Sequence, residues 1–319
     1  MELHLDSFMG DGYTSATISA HEWLSVIASA ELHHLQVLTL SDCNLAGSIG
    51  TSMLNLSSLS LLDLSDNDIT HFPQQMFHLP NLKVLDLSHN PHLTGSLPEF
   101  PPGTALQQLF LAFTNYAGRI PHSIGNLKQL SEFTVRNCSF SGPLPDSFGN
   151  LGKLALLDLS RNNFEGEIPF SFFKLSRLEA LYMSSNKLSG PIPSSYANYD
   201  LPNLTYLHLS NNQLNGTIPP SLFTLPSLQE LYLDQNKFIG ILDDEAFPNS
   251  ISSPLTMLDL SYNLLEETLQ NSSQNLQASN VSTLDPTIFM VRLIYACLRA
   301  SKTFRDRPFR QHHAFNRHK

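Results

Sequence analysis

Leucines recur through most of this chain at a nearly constant stride, and the residues between them alternate apolar and polar. A frame L-x-x-L-x-L opens at Leu35, Leu59, Leu82, Leu106, Leu130, Leu154, Leu178, Leu204, Leu228 and Leu255, in steps of 24, 23, 24, 24, 24, 24, 26, 24 and 27 residues. The second and third apolar positions hold leucine in almost every copy, with Phe133, Val135 and Met183 as the substitutes. Alternation of period two predicts a short strand whose leucines point inward and whose intervening residues face solvent. One such strand per repeat, stacked on the next, predicts a parallel sheet along one side of a solenoid.

The rest of each unit carries its own columns. Three residues past the third leucine comes a polar position, held by Asn67, Asn90, Asn162, Asn186, Asn212, Asn236 and Asn263. An amide at an inner bend can bond backbone groups that a turning chain would leave unpaired. Cys43, Thr114 and Cys138 occupy the same column, so both cysteines are read as structural. The unit closes as x-L-x-G-x-I-P. Its glycines, Gly47, Gly95, Gly118, Gly142, Gly166, Gly190, Gly216 and Gly240, are expected to supply backbone angles closed to other residues. Prolines at 73, 98, 121, 145, 169, 193 and 219 lack an N–H and fix φ, which predicts short 3-10 or extended returns in place of regular helices. A single unit cannot bury its own apolar face, so stability has to come from its neighbours.

The residue between the two leucines of L-x-L forms one column on the open side of the sheet: Thr39, Asp63, Asp86, Phe110, Thr134, Asp158, Tyr182, His208, Tyr232 and Asp259. Asp and Thr are ordinary solubilising residues there. Large rings are not. Tyr182, His208 and Tyr232 belong to three consecutive repeats, flanked by Tyr206, Glu179, Glu230 and Asp234. An aromatic patch with an acidic rim suits a peptide or protein partner with a basic group. The alternative is a packing ladder, in which the same rings support one another across strands. Phe110 and Phe113 form a second candidate of the same kind.

Composition narrows the function classes. The formal charge of −10 argues against a nucleic-acid binder. Residues 1–289 hold ten Lys/Arg against twenty-seven Asp/Glu, whereas 290–319 hold eight against one, so an acidic body precedes a basic tail. The three cysteines, Cys43, Cys138 and Cys297, form neither a CxxC pair nor a disulfide scaffold. Thirteen histidines lack metal-ligand spacing, and no metalloprotease, nucleophile-elbow, phosphate-loop or kinase signature occurs. No catalytic residue, metal or cofactor is therefore expected. The amino end lacks the basic and apolar regions of a signal peptide, and Thr287–Leu298 is too short for a membrane span. Asn-x-Ser/Thr sequons at Asn55, Asn137, Asn203, Asn215, Asn271 and Asn280 fit an exported glycoprotein.

Leu85–Phe100 (LDLSHNPHLTGSLPEF), Leu157–Pro169 (LDLSRNNFEGEIP) and the run Leu207–Phe238 closely resemble plant extracellular leucine-rich-repeat receptors, specifically the kinase-lacking receptor-like proteins of the disease-resistance type. The resemblance covers about Leu3 to Leu265 and implies an α/β solenoid of the plant-specific leucine-rich-repeat kind. That fold is a right-handed superhelix with a parallel sheet on its concave face and short 3-10 or extended returns on its convex face. It also implies ligand perception at the plasma membrane, extracellular side, in defence signalling, with a peptide, protein or glycan ligand and a membrane receptor kinase as signalling partner. Residues 1–31 read as a degenerate partial repeat with a short helix at His21-Glu22-Trp23, 32–269 as about ten repeats, and 270–319 as a non-repeat basic tail without order. The capping cysteines and membrane anchor that such receptors carry have no counterpart here. A partial ectodomain is the leading reading, with a translated intron, shifted frame or truncated gene behind the tail. A secreted protein resembling the polygalacturonase inhibitors, and a non-functional truncated product, are the alternatives.

Overall fold

A computed structural model describes residues 1–6, 18–29, 32–193, 201–240 and 254–265. Each L-x-L element contributes a three-residue strand centred on its first leucine, from Glu2–His4 and Val37–Thr39 through Tyr206–His208 and Glu230–Tyr232 to Met257–Asp259. These eleven strands form one parallel sheet in strict sequence order. Register is equally regular: Leu38 lies opposite Leu62, Leu62 opposite Leu85 and Leu207 opposite Leu231, so every inward leucine sits on the leucine of the next repeat. The leucines of all three frame positions are essentially inaccessible to water between Leu35 and Leu233. The chain is thus a leucine-rich-repeat solenoid with its sheet on the concave face.

The returns take the short 3-10 form that the prolines predicted. Six 3-10 turns occur among the described residues, such as His122–Asn126, Asp146–Asn150 and Phe170–Lys174. Five of the six follow a proline in extended conformation, Pro73, Pro121, Pro145, Pro169 or Pro219. Proline's fixed φ sends the chain outward, and a turn of three residues per cycle then buries one side chain, such as Ile124, Phe148 or Phe172. A second sheet was not foreseen. Ten short strands, including Asn115–Gly118, Ser139–Pro143, Asn163–Gly166, Lys187–Pro191 and Gln213–Thr217, form another parallel sheet beside the first. The segment x-L-x-G alternates only once, too briefly for a strand to be read from one repeat. Stacking in register supplies the missing hydrogen bonds.

The Asn column works as a ladder between repeats. Asn162 Nδ2 donates to the carbonyls of Val135 (2.7 Å), Leu159 (3.2 Å) and Ser160 (3.2 Å), while its Oδ1 accepts the amide of Phe140 at 3.0 Å. Asn67, Asn90, Asn186, Asn212, Asn236 and Asn263 repeat this arrangement. The residue just before the ladder position takes a left-handed conformation in every repeat, including Asp66, His89, Phe113, Asn137, Arg161, Ser185 and Asn211 at φ of 52–59°. A non-glycine residue there costs about 1–3 kcal/mol, and the ladder's bonds to the surrounding turn offset that cost. Nothing in the side chains at this column signals the conformation. Gly95 departs from the expected glycine role. It is absent from the positive-φ glycines, and a Cβ there would lie 2.9 Å from Tyr116 Cζ, so its absent side chain makes room for a ring.

Three repeats lack the amide, with Cys43, Thr114 and Cys138 in its place. Cys138 Sγ donates to Leu111 O at 3.0 Å and Cys43 Sγ to Leu5 O at 3.0 Å, which reproduces the carbonyl bond of the Asn column. Burial pushes the Cys138 thiol up, so it is held as S–H. A thiol accepts only weakly, so it is a poor substitute for Asn Oδ1 toward the amide two residues past the preceding ladder position. The Tyr116 N–H reaches only Thr114 Oγ1, at 3.4 Å. Cys138→Asn is therefore expected to raise stability by about 1 kcal/mol, read as a shifted denaturant midpoint at unchanged slope. An unchanged or lower midpoint would contradict the ladder account.

Candidate functional site

The L-x-L column is less solvated than its pattern implies. Thr39 and Asp158 are buried, at 8% exposure each, where a solvent-facing column was expected. The cause is local. Asp158 Oδ1 accepts the backbone N–H of Ser160 at 2.9 Å and also its hydroxyl. Asp63 takes the same two bonds from Ser65, and Asp86 from Ser88. The D-x-S pattern folds each carboxylate down onto its own strand end. Burial raises the carboxyl pKa of Asp86 and Asp158, with the serine bonds working against it. These aspartates brace the sheet and offer little to a ligand.

The rings behave differently. Register places Tyr182 opposite His208 and His208 opposite Tyr232, with Tyr206 opposite Ala180 and Glu230. His208 stands edge-on between two phenols, at 4.8 Å from Tyr182 and 4.5 Å from Tyr232. Tyr206 lies 6.4 Å from Tyr182 with nearly parallel planes and 6.5 Å from His208. All four rings are half-buried. Edge-to-face pairs contribute about 0.5–1.5 kcal/mol beyond area burial, so part of this group's role is to support itself. The remaining ring area faces outward on the open side of the sheet.

Polar groups surround the rings. His208 Nε2 lies 3.1 Å from Glu230 Oε2. Burial lowers the His208 pKa, against the opposing pull of Glu230, Asp158 and Asp234. Burial likewise pushes the Tyr182 phenol up to about 12, helped by Tyr206, Asp158 and Glu230. Tyr232 and Asp234 also move up through burial. At neutral pH the cluster therefore presents neutral phenols and a neutral imidazole. Asp234 accepts a bond from the Ser210 hydroxyl. Glu179 is exposed at the approach to the strand Ala180–Tyr182. Sequence reasoning missed Arg136, whose guanidinium lies 3.8 Å from Asp158 Oδ2 and extends the polar border toward earlier repeats. Its position in the column after L-x-L was the available signal.

The second candidate does not join the first. Phe110 is half-buried on Gln108–Phe110, separated from Ala180–Tyr182 by the strands Glu132–Thr134 and Leu156–Asp158. Phe113 occupies the left-handed position, where its ring stacks on His89 at 4.7 Å and 16°. Of the sequons, Asn55, Asn137, Asn203 and Asn215 are exposed, and Asn203 Nδ2 donates to Ser176 O at 2.8 Å. Asn271, Asn280, Cys297 and the basic tail lie outside the described residues. Among the described residues no group of three or more His, Cys, Asp or Glu could hold a metal ion, and no helix is long and apolar enough to cross a membrane.

Comparison with known proteins places these features among relatives. A model of a leucine-rich repeat region matches residues 14–143, and a leucine-rich repeat model matches 128–188 and 194–238. Receptor-like protein 6 of Arabidopsis thaliana is 34% identical over 137 residues, which is 43% of this chain and 14% of that protein. The TMV resistance protein N of Nicotiana glutinosa is 46% identical over 72 residues, 22% of this chain and 6% of that protein. Among solved structures, the plant peptide hormone receptor RGFR1 in complex with RGF2 aligns at a TM-score of 0.66 with 32% identity, covering 78% of this chain and 42% of that one. The chain thus spans a small part of the length of the curated relatives it matches.

Proposed function

We propose that this leucine-rich-repeat chain, similar over part of its length to plant receptor-like proteins, is a non-catalytic recognition module whose concave face binds an extracellular peptide or protein ligand. One observation carries the reading: four rings, Tyr182, Tyr206, His208 and Tyr232, gather in register on the open face of the sheet. Stacked rings held by a rigid sheet lose little further freedom on binding and provide large contact area, as binding hot spots do. The complex of the structurally similar peptide hormone receptor supports a peptide as the class of ligand. Ligand perception in defence, with signal passed to a membrane kinase, completes the proposal. The similarity to a virus-resistance protein supports the defence setting.

The test replaces Tyr182, Tyr206 and Tyr232 together by alanine in the receptor at the cell surface. Truncating three central contacts is expected to weaken ligand response by at least about a hundredfold in ligand concentration, at unchanged receptor abundance. A response that survives the triple change would reduce the patch to a packing ladder. Alanine at Phe110 alone serves as the comparison, with a smaller effect expected.

A further inference from the structure

Glu230 has one neutral partner and an excess of negative neighbours. Its Oε2 is bonded to His208 Nε2 at 3.1 Å, and the two side chains remain 31% and 25% exposed. The groups facing His208 come from every strand packed around it. Tyr182 lies on one side, Glu230, Tyr232 and Asp234 on the other, and Tyr206 on its own strand. Asp158 adds its field from two strands away, with Arg136 beyond it. That guanidinium is engaged by Asp158 and lies three strands from Tyr206–His208. Among the described residues no Lys or Arg ion pair is formed by Glu179, Glu230, Asp234 or Asp259.

We propose that this part of the sheet seats a cationic side chain, an arginine or lysine of a bound peptide, and that the cation competes with a proton on His208 for Glu230. The inference rests on the concave-face reading above and names the ligand chemistry that this face takes. A cation here gains the uncompensated carboxylate and the phenol rings of Tyr182, Tyr206 and Tyr232, since cation–π attraction adds to charge pairing where water is partly excluded. With His208 neutral, its N–H orients Glu230 and leaves the negative charge in place. Protonation turns His208 into an imidazolium that neutralises Glu230 and repels the incoming cation. Burial holds His208 protonation below the ordinary histidine range, so the seat is open at neutral pH and closes as pH falls through that transition. Linkage requires the reverse as well: a bound cation depresses His208 protonation further.

The probe is N-acetyl-arginine amide, titrated into protein carrying 3-fluorotyrosine and followed by fluorine NMR. N-acetyl-citrulline amide, a neutral molecule of similar shape, is the control. The resonances of Tyr182, Tyr206 and Tyr232, assigned by Tyr→Phe variants, are expected to shift with the arginine probe and not with citrulline. Binding is expected to weaken at least about twofold from about pH 7.5 to about pH 5.5, as His208 begins to take up its proton. His208→Gln, which keeps an N–H donor toward Glu230, is expected to bind alike at both pH values, and Glu230→Gln to lose binding at both. The resonance of the buried Tyr116 reports that each variant remains folded. Equal shifts from citrulline, no shift from either probe, or a pH response that persists in His208→Gln would each overturn the proposal. If the cation fails to bind while the triple alanine variant still abolishes response, the cation seat falls and the recognition reading stands.

Discussion

Alanine in place of Asn162 is expected to lower the stability of the array by about 3 kcal/mol, although it removes only one small side chain. The amide serves Val135 O, Leu159 O, Ser160 O and the Phe140 N–H at once, and its residue is only 8% exposed. Each buried backbone group left without a partner costs about 1–3 kcal/mol, and the losses overlap because one water could serve two of them. The left-handed conformation at Arg161, the preceding residue, loses its compensation at the same time. Equilibrium denaturation measures the loss. Hydrogen exchange should place its centre at the Phe140 amide. Asn263→Ala is the contrast: the same four bonds are made, but the site is half-buried, so water replaces the amide and about 1 kcal/mol is expected. Equal losses at the two positions would show that the ladder bonds matter less than the space they fill.

The same ladder shows what the amino-acid pattern reveals and what it hides. The leucine frame is legible because an inward side chain must recur whenever the chain completes a coil, and the same geometry recurs in each repeat. Asn67, Asn90 and their successors are legible for the same reason, with Cys43, Thr114 and Cys138 as variants of one role. The second sheet is not legible from one repeat, since Ser139–Pro143 or Gln213–Thr217 becomes a strand only when the neighbouring copy arrives in register. The left-handed position is hidden because Asp66, Phe113, Arg161 and Gln235 share no chemistry. At the candidate site, the rings Tyr182, His208 and Tyr232 were found by their column. The burial of Asp158 was missed because alternation assigns a face, while the serine two residues on decides whether the carboxylate stays in water. Arg136 was missed for a related reason, since its partner is set by stacking between repeats.

Phe148→Ala is expected to have the largest effect, about 3–5 kcal/mol. Phe148 is fully buried in the turn Asp146–Asn150, with ring centroids 6.2 Å from Phe133 and 5.1 Å from Phe172. It therefore ties the strand of its own repeat to the turn of the next, and neither neighbour can collapse into the vacated space. The sheet strand Glu132–Thr134 fixes Phe133, and the turn Phe170–Lys174 fixes Phe172. In a quasi-one-dimensional array a weak interface opens locally before the whole unfolds, because each repeat touches only its neighbours. Exchange protection should accordingly fall first around Phe133 to Phe172, with repeats further along keeping theirs longer. The ring group at Tyr182, His208 and Tyr232 begins one strand beyond Leu156–Asp158, so the opening should reach its Asp158 and Arg136 border before its centre. Phe148→Leu, which keeps most of the volume, is expected to cost less than half as much. Protection lost evenly across all described repeats would instead mean that the array unfolds as one cooperative block, and coupling between the Phe148 turn and the concave patch would then need no local path.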